Sequence, residues 1–69
     1  MDDKEIEVRF TYHPPKEGQP EIYTRIRDQA KALALYLVYN LPESREASLA
    51  LTHLEQMVMW ANAAVARRS

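Results

Sequence analysis

The chain of 69 residues carries three groups of side chains whose types and spacing could do chemistry. Tyr12 and His13 stand directly before Pro14 and Pro15, whose rings fix the local backbone and hold the aromatic rigidly. A rigid aromatic can stack on a nucleobase, at roughly 1–3 kcal/mol per base. It can equally close the end of a small core, and composition alone favours that plainer role. Arg25, Arg27 and Lys31 make the second group; Arg27 and Lys31 lie four apart and share a helix face. They read either as a phosphate clamp, because arginine offers a planar fork of donors, or as an ordinary charged surface with Asp28 between them. Arg67 and Arg68 are the third group, where a favourable interaction with a helix C-terminus is the simpler reading.

Other chemistry finds no support. His13 and His53 are too few and too far apart for a metal site, and Thr52-His53-Leu54-Glu55-Gln56 lacks the second histidine of a helical zinc motif. A single glycine cannot build a phosphate-cradling loop, and Glu43, Glu46 and Glu55 read as a solvated helix face. No cofactor is expected, and no enzyme. With nine basic and ten acidic side chains the net charge is −1, and acids crowd the first seven residues. Duplex DNA, which calls for massed cations, is not an expected partner, whereas a small anion needing few cations is compatible. No apolar run approaches the ~20 residues of a membrane span, and cytoplasmic residence is the expectation.

The elements that must position these groups follow from periodicity. Residues 5–12 alternate, with Ile6, Val8, Phe10 and Tyr12 on one side, which predicts an extended arm or short strand with Phe10 as its anchor to the core. Residues 1–19 are thus expected to form an N-terminal arm and turn, the turn at Lys16-Glu17-Gly18-Gln19. Pro20 and Glu21 suit a helix start, and Tyr23, Ile26, Ala30, Leu33, Leu37 and Asn40 mark a heptad seam over about residues 20–40. Leu41-Pro42 stops it, Ser44 is placed to cap the next, and Ala47, Leu51, Leu54, Val58, Ala61 and Val65 mark a second seam over about residues 44–67. A short link forces antiparallel packing. The predicted fold is all-α: one domain, an antiparallel helical hairpin (residues 20–69) with an extended N-terminal arm.

The second helix is apolar beyond its seam, through Leu49, Met57, Met59, Trp60, Ala63 and Ala64. One partner helix covers only one stripe, so further copies of the chain are expected to cover the rest. Without cysteines, self-association is the remaining way to stabilise so short a chain.

Three segments, "RFTYHPPKEGQPEIYTRIRDQAKALA", "PESREASLALTHLEQMVMWANAAVAR" and the joint between them, resemble small phage anti-CBASS proteins that sequester cyclic nucleotides. The helical hairpin is similar to that of phage anti-Thoeris sponge proteins. "YHPP" and "SREASLALTHLE…VMWANAA" are the most specific parts, and the likeness covers nearly all the chain after residue 8. It implies a non-enzymatic sponge, typically a homohexamer in the host cytoplasm, that binds cyclic dinucleotides such as 3′,3′-cyclic GMP–AMP and withholds them from the CBASS effector. Carried over by position, it implies base stacking by Tyr12 and phosphate contact by Arg27, where lysine is usual in the family and the charge is kept. His13 and Lys31 flank these as further ligand-binding candidates. It also implies a separate cyclic trinucleotide pocket involving Arg68 and Gln29. The rivals are a purely structural or assembly hairpin, and a regulator that binds a host protein through Met57, Met59 and Trp60.

Overall fold

The two long amphipathic segments form the expected hairpin. In the computed structural model, which describes all 69 residues, α1 spans Asp3–Phe10, α2 Gln19–Asn40 and α3 Arg45–Arg68, with no strand. α2 begins with a proline in its first turn, where the missing N–H costs nothing. It ends at Leu41, whose extended backbone is what the following proline demands. Leu41 N–H donates to Leu37 O at 2.8 Å, closing the last turn. Three residues later Ser44 caps α3 by accepting from Ala47 N–H at 3.1 Å. So tight a joint leaves antiparallel packing as the only course, and α2 and α3 pack on each other along their length.

All six seam positions of α3 are half-buried. In α2 the covered stripe is Gln19, Tyr23, Ile26, Ala30, Ala34 and Leu37, so the expected seam holds at four positions and shifts at the others. Leu33 is 47% exposed, Asn40 is exposed, and Ala34 takes the place inferred for Leu33. A straight helix of 3.6 residues per turn drifts about 20° per heptad from a strict 3.5 repeat, which carries Leu33 off the seam and brings Ala34 onto it.

Residues 3–10 correct the expectation of an extended arm: they are helical. The acids read as alternation act instead as helix-start chemistry. Asp2 accepts from Glu5 N–H at 2.8 Å, Asp3 and Glu5 occupy the positive first turn, and Glu5 pairs with Arg9 one turn on at 2.7 Å. Ile6 and Phe10, two members of the alternating set, are also four apart, so the same residues fit a helix period. Phe10 is 81% exposed and anchors nothing in the core. The extended stretch is confined to the residues after Phe10, and Gly18 then reverses the chain with φ +85°, a left-handed conformation that side chains disfavour.

The molecule is a slab, 45 × 29 × 13 Å, one helix layer thick. Its radius of gyration is 15.3 Å, against about 11 Å for a compact chain of this length. Its accessible surface is 5892 Å², whereas a compact monomer of 8.0 kDa exposes about 4,450 Å². No hydrophobic side chain is fully buried; the one buried residue is Gln19, 5% exposed.

Candidate functional site

The open end of the hairpin, where the chain's two termini meet, is organised by polar contacts. Gln19 is its hub. The side-chain oxygen of Gln19 accepts from Lys16 N–H at 2.9 Å, and its amide nitrogen donates to Val65 O at 3.1 Å and Ser69 Oγ at 3.4 Å. One side chain thereby ties the extended segment, the start of α2 and the end of α3 together. Lys16 Nζ adds a bond to the Ser69 backbone oxygen at 2.7 Å.

α1 is docked on this end by charge. Oε2 of Glu5 accepts from Arg9 Nε and from a guanidinium nitrogen of Arg68, each at 2.7 Å. Hydrogen bonding to Arg68 first, and to Arg9 next, holds the Glu5 carboxyl down at about 2, and Glu5 in turn raises Arg68. The last carbonyls of α1 lack partners within so short a helix. His13 Nε2 lies 2.7 Å from Val8 O, and because a carbonyl only accepts, Nε2 carries the proton. Arg67 reaches Arg9 O at 3.5 Å, a weak bond that sets a cation at the negative end of α1.

The residues singled out by sequence fall into separate places. Tyr12 lies in the extended segment, 80% exposed, with its hydroxyl in no hydrogen bond within the chain. His13 beside it is half-buried and engaged on α1, so its Nε2 serves structure. Arg27 and Lys31 are exposed on α2 and form no ion pair or side-chain hydrogen bond. They stand roughly 12 and 18 Å along the helix from Gln19 at ~1.5 Å per residue. Gln29 lies across α2 from Arg27, in a shallow groove with Pro20, Glu21, Thr24, Arg25 and Asp28. It stands roughly 15 Å up α2 from Gln19, while Arg68 lies past Val65 in the opposite direction, so one chain does not bring Gln29 and Arg68 together.

What the structure does assemble is a groove of about 360 Å³ lined by Arg9, Trp60, Ala63, Ala64, Arg67 and Arg68. The α3 members recur at 60, 63, 64, 67 and 68, one helix face, a spacing legible in sequence. Arg9 joins them only because residues 3–10 are helical, which is why this grouping escapes a reading that treats the segment as a strand. No cluster of metal-ligating side chains is present, and no helix is long and apolar enough to cross a membrane.

No curated protein and no solved structure gives a significant match to the chain. The family model described as "Acb2/Tad1, hairpin domain" does match, over residues 1–66. That span takes in α1, the extended segment and the whole hairpin up to the last turn of α3. The chain therefore belongs to the Acb2/Tad1 hairpin family, non-enzymatic sponges for signalling molecules.

Proposed function

We propose that this protein is a phage sponge that sequesters cyclic dinucleotides such as 3′,3′-cyclic GMP–AMP in the bacterial cytoplasm and so keeps CBASS effectors inactive. The observation that carries the reading is Tyr12: an aromatic 80% exposed beside a pair of prolines, satisfying nothing in its own chain. Arg27 supplies phosphate contact, Lys31 adds charge on the same face, and His13 holds the segment that presents Tyr12. A cyclic dinucleotide has two bases and two phosphates about an approximate dyad. An isologous interface presents each residue twice about a dyad, so two copies of Tyr12 and two of Arg27 match the ligand. The site is then made between chains, in keeping with the separation of these residues within one. Cyclic trinucleotides are proposed for a second pocket that draws on Arg68 and on Gln29 of another copy.

Assembly is part of the proposal. The chain exposes roughly 1,400 Å² more than a compact monomer of its mass, while one standard interface takes ~800 Å² from a subunit. Two interfaces per chain absorb that excess, which favours a closed higher oligomer, such as a hexamer, over a simple dimer. Sequestration by mass action then requires tighter binding than the effector's, and copies in excess of the signal.

The test is a pair of substitutions read by calorimetry and by native mass. Tyr12→Ala and Arg27→Ala should each weaken binding of 3′,3′-cyclic GMP–AMP by about tenfold or more, with the oligomer intact. Affinity retained in both overturns the site. Loss of the oligomer in Tyr12→Ala instead returns Tyr12 to a role in packing.

A further inference from the structure

One oxygen of Glu5 bridges two guanidiniums, those of Arg9 and Arg68, and both arginines line the groove that Trp60 shares with Arg67. A carboxylate and a phosphate offer the same acceptor geometry to an arginine fork. We propose that Glu5 is an internal stand-in for a ligand phosphate: it occupies the anion seat of the Arg9–Arg68 groove, and a nucleotide phosphodiester binds there by displacing it. The inference rests on the reading of Arg68 as part of a nucleotide pocket, and adds the residue that sets that pocket's affinity.

Three observations support it. The groove holds cations and an aromatic together: Trp60 is 70% exposed, available as a platform for a base. The pair is movable, since the side chains of Arg68 and Glu5 are 54% and 26% exposed, and a bridge so open to water is screened and weak. A deeply buried pair would be fixed, because releasing it strands a charge. And α1 keeps other attachments when Glu5 lets go, through His13 to Val8 O and Arg67 to Arg9 O. Because its arginines keep Glu5 ionised across the physiological range, a competing anion opens the seat and mild acid does not.

The experiment titrates cyclic triadenylate into the wild-type chain, Glu5→Gln and Glu7→Gln. 3′,3′-Cyclic GMP–AMP is run alongside as a check that each variant is folded and active. Glu7 lies on the same helix and accepts only from Thr11, so its variant matches the charge change without touching an arginine. Expected is about two- to five-fold tighter triadenylate binding by Glu5→Gln, the range of one surface ion pair, and wild-type affinity for Glu7→Gln. Unchanged or weaker binding by Glu5→Gln overturns the proposal, as does equal tightening by both variants, which would reflect net charge alone. If every protein binds the dinucleotide and none the trinucleotide, Glu5 guards no seat, yet the dinucleotide reading stands. If none binds either ligand, the function proposed above fails as well. Should Glu5→Gln not fold, NMR of the wild-type carboxyl decides: saturating triadenylate should raise the Glu5 pKa from about 2 towards the ordinary carboxylate range, and an unmoved value contradicts displacement.

Discussion

The two ends of the hairpin solve the same problem by different means. At the closed end, between Asn40 and Arg45, α2 and α3 are joined by a turn whose bonds are all local: Leu41 to Leu37, Ser44 to Ala47. At the open end nothing local joins the helices. Gln19 reaches Val65 across 46 positions, Lys16 reaches Ser69 across 53, and Arg68 reaches Glu5 across 63. The closed end is held by backbone geometry that proline and serine impose. The open end is held by polar side chains from residues far apart in the chain.

That difference can be broken most sharply at Gln19. Gln19→Ala removes three bonds from the one buried side chain and strips Lys16 N–H of its partner, while Val65 O keeps the bond from Ser69 Oγ. We expect a loss of about 1–2 kcal/mol in chemical denaturation at fixed protein concentration, with faster amide exchange at Lys16. A smaller effect belongs to the closed end, where Ser44→Ala removes one cap and should cost about 1 kcal/mol while exchange at Lys16 stays unchanged. If Gln19→Ala leaves exchange at the open end as it was, the hub assigned to Gln19 is wrong.

The smallest effect is that of acid. Glu5 is ordinarily a carboxyl of pKa ~4.3 and is held at about 2 in the folded chain. A depressed value means that the stabilisation is fully present above the ordinary pKa and is lost as pH falls through the folded one. The attachment of α1 should therefore be constant from pH 5 to pH 8 and fade between about pH 4 and pH 2. Helical content followed by circular dichroism against the Glu5→Gln variant checks this, since the variant should lack the Glu5-dependent part of that acid transition.

How far each end could be read from the sequence follows from the same contrast. Pro42, Ser44 and the two seams are local or periodic signals, and they place the hairpin and its joint. The alternation of Ile6, Val8 and Phe10 predicts an extended arm where α1 forms. The competing signals, Asp2 ahead of Asp3 and Glu5, and Glu5 four before Arg9, are those of a helix start. The helix-start signals win because no sheet exists for a strand to join. Gln19, Glu5 and Arg9 carry no local signal as site organisers, because their roles depend on partners far away in the chain. Tyr12, Arg27 and Lys31 are legible as candidates through the proline pair after Tyr12-His13, the four-residue spacing of the two cations and the family resemblance, and the structure adds that all three are exposed.

The central claim is that a symmetric ligand is gripped between chains by paired Tyr12 and Arg27. Calorimetric titration of the native protein with 3′,3′-cyclic GMP–AMP tests it most directly, because the heat gives affinity and stoichiometry at once. Saturable binding with one ligand for every two chains is expected. No saturable heat, or one ligand for every chain, would contradict it.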